Sequence, residues 1–202
     1  MKEILVATGN PHKLQEIREI LADLPIQLKG IFDLPDQLEV DETGSTFAEN
    51  AAIKARTYFN MTGLPTLADD SGLQVPALNN EPGIRSARFA GKNANYNQNN
   101  ALLLKKMRFF TEKQRKARFV CTVCFKTKEN EWFFEGITEG FILSELKGDG
   151  GFGYDPLFWV PELGKTYAQL SHEEKNKISH RAKALDKFKK FLIEYVKKID
   201  ND

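Results

Sequence analysis

Two adjacent carboxylates, Asp69 and Asp70, follow a short apolar run at 64–68 and precede Ser71 and Gly72. The run reads as a buried strand. Neighbouring strand residues point to opposite faces, so the two carboxylates do not form a matched pair, and one of them turns inward or toward a cleft. Gly72 lets the chain turn there. A strand end with a capping Asp and an Asx-turn accounts for the same residues. A second chemical stretch is Thr8-Gly9-Asn10-Pro11-His12-Lys13. Asn10 suits an N-cap and Pro11 the first helical position, so a strand opens through this turn onto a helix N-terminus, an anion site with Lys13 in its first turn. The helix dipole contributes only about 0.3–1 kcal/mol, so a triphosphate requires Lys13 and more. A third is the loop Gly148-Asp149-Gly150-Gly151-Phe152-Gly153-Tyr154-Asp155, richer in glycine than a hairpin turn needs. It suits close backbone approach to a flat ligand with Phe152 or Tyr154 stacked on it.

The elements that must position these residues can be read from pattern. Residues 3–7 form a first, central strand. Leu14, Ile17, Leu21 and Leu24 trace one helical face that ends at Pro25. Residues 26–31 form a second strand, and 33–42 are polar and turn-rich. Thr46 and Glu49 make a capping box for a helix in which Ala51, Ala52, Ala55 and Phe59 pack closely, with Gly63 and Pro65 ending it. Glu42 lies just upstream of that cap and Lys54 on the helix, each an ordinary surface charge when taken singly. Residues 84–91 form a loop with Arg85 and Arg88, 92–100 are Asn-rich and approach a helix at 101–110. Two long β-runs, 117–126 and 131–143, flank a hairpin turn, with Gly136 and Gly140 suggesting a bulge or bend. Residues 157–160 form a strand. Ser171 caps a short helix that carries Lys175, and Ser179 caps the last helix, whose inner face includes Leu185, Phe188, Leu192 and Tyr195. His180 and Arg181 fall in its first turn, where the dipole disfavours cations, which argues for a functional reason.

The 202 residues, 41% hydrophobic and 28% charged, suit one α/β domain or two lobes sharing a core. A net charge of +1 creates no bulk field toward nucleic acid or membrane. No apolar run approaches the ~20 residues that span a bilayer, and the first residues lack a signal-peptide core, so the expected location is cytoplasmic. Cys121 and Cys124 have C-x-x-C spacing, but they sit in a β-branched and aromatic run that puts them on opposite faces. With no second cysteine pair to complete a zinc site, they read as buried small hydrophobes.

Together these segments resemble the inosine/xanthosine triphosphate pyrophosphatase family. The resemblance rests on TGNPHK at 8–13, ETGSTFAENAAIKA at 42–55, LADDSGL at 67–73, PGIRSARFAG at 82–91, GGFGYDPLF at 150–158, EEK at 173–175 and SHR at 179–181. Leu146-Lys147-Gly148 stands where many members have Pro-Arg-Gly. The resemblance implies an elongated mixed β-sheet flanked by helices, residues 1–202 forming one domain of two lobes with the active site in the cleft between them. It also implies a homodimer, dependence on Mg²⁺, a small-molecule nucleoside triphosphate substrate, and no nucleic-acid or membrane partner. By motif, Thr8, Gly9, Asn10, Pro11, His12 and Lys13 form the phosphate-binding turn, and Lys54 is a second phosphate cation. The resemblance implies that Glu42 and Asp70 are the metal carboxylates, and that Asp70 is also the base acting on water, supported by Asp69. It implies further that Ser71 contacts substrate and that Phe152, Gly153, Tyr154, Asp155, Lys175, His180 and Arg181 form the base pocket. Two alternatives are a related enzyme for another modified base or a pyrimidine, and a nucleotide- or RNA-binding module without catalysis.

Overall fold

The computed structural model describes residues 3–36 and 38–199; Met1, Lys2, Gln37 and 200–202 lie outside it. The strands are β1 (Glu3–Val6), β2 (Gln27–Gly30), β3 (Thr66–Val75), β4 (Glu81–Pro82), β5 (Lys116–Lys126), β6 (Glu131–Ile142), β7 (Phe158–Val160) and β8 (Lys165–Thr166). The helices are α1 (Pro11–Ile20), α2 (Phe47–Thr62), α3 (Tyr96–Met107), α4 (His172–Ile178) and α5 (His180–Ile199). The sheet runs β2-β1-β3-β5-β6-β7-β8, with β4 paired to β3. β1 is parallel to β2 and β3, whereas the β3/β4, β6/β7 and β7/β8 pairs are antiparallel. The protein is therefore α/β with a mixed open sheet flanked by helices, as expected. No helix among the described residues is long and apolar enough to cross a membrane.

The chain divides into two compact units. The first comprises Met1–Asp70, Cys121–Gly136 and Arg181–Asp202. Its strands alternate by the two-residue period of a pleated sheet. Ile4, Val6, Leu67, Cys121, Val123 and Phe125 pack with Leu14 and Ile17 of α1 and with Leu185, Phe188 and Leu192 of α5. Leu5, Ala7, Ala68 and Cys124 pack with Ala51, Ala52, Ala55 and Tyr58 of α2. Phe47 and Tyr58 are the buried aromatics of α2, whereas Phe59 is half-buried. The two cysteines are free, buried and divided between these two clusters, as the spacing predicts. α2 starts at the expected Thr46–Glu49 capping box and stops at Gly63, whose φ of 71° suits a residue without a Cβ.

The second unit comprises Ser71–Val120 and Ile137–His180. Its core gathers Leu73, Val75, Leu103, Met107, Phe119, Leu157, Phe158 and Tyr167. Full burial of a side chain such as Leu103 contributes about 1.5–3 kcal/mol. Here two expectations change. β3 does not stop after Asp70; it continues through Gly72 to Val75, where Gln74 and Val75 pair with β4. Sheet pairing thus overrides the turn that Gly72 suggested. The Asn-rich stretch is not a solvated approach: Asn95 caps α3, which begins at Tyr96, and Asn99 and Asn100 are buried in its second turn. Gly140 permits close packing. A Cβ there would lie 2.5 Å from the Trp159 carbonyl oxygen of β7.

Candidate active site

In the first unit, β3 enters between the two helical faces described above. Asp69 continues the face of Leu67 and Asp70 that of Ala68, so the two carboxylates meet different partners, as strand geometry requires. Asp69 is 1% exposed, and its Oδ2 lies 3.1 Å from Lys13 Nζ of α1. The same oxygen accepts from Arg181 Nε at 3.3 Å and Nη2 at 3.2 Å. Cys121 Sγ is 3.8 Å away. Arg181 is itself 1% exposed and also ion-paired to the buried Glu16, one turn beyond Lys13 on α1. Burial alone would raise the Asp69 carboxyl, but Lys13, Arg181 and Lys54 outweigh it and hold the group far below the usual carboxylate range. Burial and the Asp69 charge push the Cys121 thiol up to about 12, so it stays a neutral thiol. The cation in the unfavourable first turn of α5 is thus explained: Arg181 is compensated by two carboxylates rather than by the helix.

Asp70 turns to α2. Its Oδ2 accepts from Asn50 Nδ2 at 3.0 Å, and burial is the largest influence on it, raising its pKa. Lys54 and Lys13 oppose that rise, whereas the Glu42 charge adds to it. Lys54 lies one turn beyond Asn50 and contacts Glu42 Oε1 at 2.5 Å. Burial would lower the Lys54 ammonium, but Asp70, Glu42 and Asp69 raise it, so it stays charged. Among the described residues, Lys13, Lys54 and Arg181 thus meet the carboxylates of Glu16, Glu42, Asp69 and Asp70.

The turn after β1 has the expected cap but a different donor inventory. Asn10 Oδ1 accepts from the backbone N–H groups of His12, at 3.0 Å, and Lys13, at 3.4 Å. Those amides are occupied by the cap, so the α1 N-terminus offers an anion less backbone than the sequence argument supposed. Thr8 is buried and accepts from the Asn10 amide, while Gly9, Pro11 and His12 are exposed.

In the second unit the aromatic glycine loop is tied down at several points. The Phe152 amide donates to Asp155 Oδ2 at 2.9 Å, and Lys175 Nζ sits 2.6 Å from the same oxygen and 4.6 Å from the Phe152 ring centroid. Gly151, at φ 69°, has no room for a Cβ, which would lie 2.2 Å from Asp155 Oδ2. The Gly153 carbonyl accepts from Asn100 Nδ2. Tyr154 is 4% exposed and donates its hydroxyl to the Ser86 carbonyl, so of the two stacking candidates Phe152 remains and Tyr154 is an anchor. Ser86 in turn accepts from the Leu73 amide of β3 and donates to the Gly83 carbonyl. Asn99 bridges the Ala87 carbonyl and the Ala90 amide, holding the same 82–91 segment. Buried His180 stacks on Phe119, centroids 4.6 Å apart. Ser71, half-buried, follows Asp70 in β3. Sequence reasoning named Asp155 and Lys175 for the pocket but did not see that they pair, and it missed Glu16, Asn50, Ser86, Asn99 and Asn100. A polar residue on an otherwise apolar helical stripe was the one signal available for Glu16 and Asn50.

A cluster of buried, opposed charges in one unit of an α/β scaffold, and in the other unit a glycine loop that carries an aromatic ring, are the equipment of a nucleotide-handling enzyme. The comparisons agree: the chain matches the Ham1 family over residues 4–191 and belongs to it. It is 46% identical over 191 residues to a dITP/XTP pyrophosphatase of Thermoanaerobacter sp. (strain X514), covering 95% of this chain and 96% of that one. It is 48% identical over 193 residues to a dITP/XTP pyrophosphatase of Geobacter sulfurreducens, covering 95% and 97%. The solved structure of the Staphylococcus aureus Ham1 protein superposes with a TM-score of 0.86 at 42% identity, covering 96% of this chain and all of that one. A HAM1 protein from Coxiella burnetii gives the same TM-score at 43% identity and equal coverage.

Proposed function

We propose that this chain hydrolyses deaminated purine nucleoside triphosphates (ITP, dITP and XTP) between the α and β phosphates, releasing the monophosphate and pyrophosphate. It would thereby keep these nucleotides out of DNA and RNA. The relatives' names support the substrate class. The observation that carries the chemistry is Asp70, buried, held by Asn50 Nδ2 at 3.0 Å and within the electrostatic reach of Lys13 and Lys54. Such hydrolysis needs positioning, charge neutralisation and an activated water more than covalent help. Lys13 and Lys54 meet phosphate oxygens, Asp70 takes the proton of the attacking water, and Asp69 fixes Lys13 and Arg181.

The donor set fits Mg²⁺. Among the described residues no three His, Cys, Asp or Glu side chains gather to hold a metal unaided. Glu42 and Asp70 are hard oxygen donors, and Mg²⁺ is commonly held by one or two carboxylates together with substrate phosphates. A triphosphate brings further negative charge to carboxylates already present, so the reading calls for a divalent cation. Glu42 and Asp70 would hold it, and it would supply charge neutralisation at the phosphates. For the base, Phe152 offers a stacking face, and the donors of Lys175, His180 and Arg181 suit the keto oxygen that replaces adenine's amino group. Arg181 adds to this the task of holding Asp69. The family resemblance supports a homodimer in the cytoplasm.

The test is product analysis with ITP, XTP, dUTP and ATP, each with Mg²⁺ and with EDTA. Pyrophosphate from ITP and XTP, little from ATP or dUTP, and none with EDTA is the expected pattern. Orthophosphate as the product, or equal turnover of ITP and ATP, overturns the assignment.

A further inference from the structure

Asn50 is fully buried in the first turns of α2, on the stripe that otherwise carries Ala51 and Ala55. Asparagine is a poor helix former, and a buried carboxamide is unfavourable unless its hydrogen bonds are made. Both ends are used here. Nδ2 donates to Asp70 Oδ2 at 3.0 Å, and Oδ1 accepts from the Gly44 amide at 2.8 Å. The two partners fix the amide's orientation, since a flipped group would set N–H against N–H and oxygen against carboxylate.

Gly44 stands two residues after Glu42, and its backbone is pressed onto the helix. A Cβ there would lie 2.6 Å from Glu49 Cβ and 2.7 Å from Asn50 Oδ1. Glu49 ties the same segment a second time through the amides of Ser45 and Thr46. Lys54, one turn along α2, grips Glu42 itself. One face of α2 therefore holds the Glu42 segment through Gly44 and Lys54, and holds Asp70 through Asn50.

We propose that Asn50 is a positioning residue that sets the separation and orientation of Glu42 and Asp70, and so the affinity of the site for a divalent cation. This rests on the reading of those two carboxylates as the metal pair. No other side chain of similar size supplies a donor and an acceptor in this arrangement. Alanine removes both bonds, leaving the Asp70 oxygen and the Gly44 amide without the partner that joins them.

The experiment measures Mn²⁺ binding by the loss of its free electron paramagnetic resonance signal, with pyrophosphate present and no turnover. Wild type, Glu42→Gln, Asp70→Asn, Asn50→Ala and Gly44→Ala are compared, with thermal unfolding as the check on folding. Substituting an outer partner of a metal ligand typically weakens binding 10–100-fold, so Asn50→Ala should raise the Mn²⁺ dissociation constant by about tenfold or more. Gly44→Ala should weaken binding in the same direction without touching Asp70, and it decides the matter if Asn50→Ala does not fold. At saturating Mg²⁺ the KM for ITP should stay near wild type in both variants, which separates positioning of the carboxylates from general disruption. If Glu42→Gln and Asp70→Asn lose Mn²⁺ while the folded Asn50 and Gly44 variants bind it like wild type, the proposal fails and the metal reading stands. If Glu42→Gln and Asp70→Asn bind Mn²⁺ undiminished, the metal reading fails and takes this proposal with it.

Discussion

Asp69→Asn isolates the charge at the centre of the first unit. Its Oδ2 serves Lys13 and Arg181 together, and both Asp69 and Arg181 are 1% exposed. Removing one member of a buried pair costs about 3–5 kcal/mol, because the other charge is left inside without compensation. Glu16 still pairs with Arg181, Lys13 retains some access to water, and asparagine keeps an acceptor oxygen. The low end applies, about 3 kcal/mol. For a chain of this length each kcal/mol moves the melting temperature by about 2–4 °C, giving a fall of roughly 6–12 °C. The pH dependence has a definite sign. The folded pKa of Asp69 is depressed, so its contribution is complete above the unfolded value of about 3.9 and drains away as pH falls from there toward the folded pKa. Urea unfolding of both proteins from pH 8 to pH 3 should therefore show a constant gap down to about pH 5, closing below about pH 4. A gap under about 1 kcal/mol at pH 7, or one that widens toward pH 3, refutes the reasoning.

Three further substitutions probe separate parts. Asp70→Asn should leave stability unchanged or raise it, since a raised folded pKa means that the ionised form is disfavoured by folding; kcat should fall ~10²–10⁴-fold, and a folded variant with near-normal kcat removes Asp70 from the chemistry. Lys13→Ala should raise KM for ITP and lower kcat/KM by at least about 1.5 kcal/mol, the scale of a charged hydrogen bond; wild-type kinetics would leave the β1–α1 turn a purely structural element. Tyr154→Phe removes the hydroxyl donated to Ser86 and should lower stability by about 1 kcal/mol in urea titration, whereas an unchanged midpoint shows that the hydroxyl is not what anchors the loop.

Local pattern was a reliable guide wherever one segment contains the whole cause. The Asn10 and Thr46 caps, the opposed faces of Asp69 and Asp70, and the division of Cys121 from Cys124 all follow from rules of one helix or one strand. The misses share a different origin. Gly72 looked like a turn because nothing in its neighbourhood reveals the ladder that carries β3 on to Val75. Asn99 and Asn100 looked solvated by composition, yet their partners are carbonyls and an amide at Ala87, Ala90 and Gly153. Glu16 is buried on α1 because Arg181, far along the chain, requires a second carboxylate. Buried polar residues are placed by partners remote in sequence, and a single sequence does not display those pairings.

Lys13 and Lys54, which under the proposed function meet the phosphates, already carry counterions from their own chain, Asp69 on Lys13 and Glu42 on Lys54. On that reading, arrival of the substrate is an exchange of partners rather than the capture of an anion by bare positive charge. Mobile salt screens exposed charges strongly and enclosed pairs weakly, so ionic strength should have a shallow effect on the encounter. Small anions such as chloride or orthophosphate carry less charge than a triphosphate and should compete weakly for these lysines. The same arrangement gives up long-range attraction, and with it some speed of association, in return for indifference to the anions that crowd an ordinary cell.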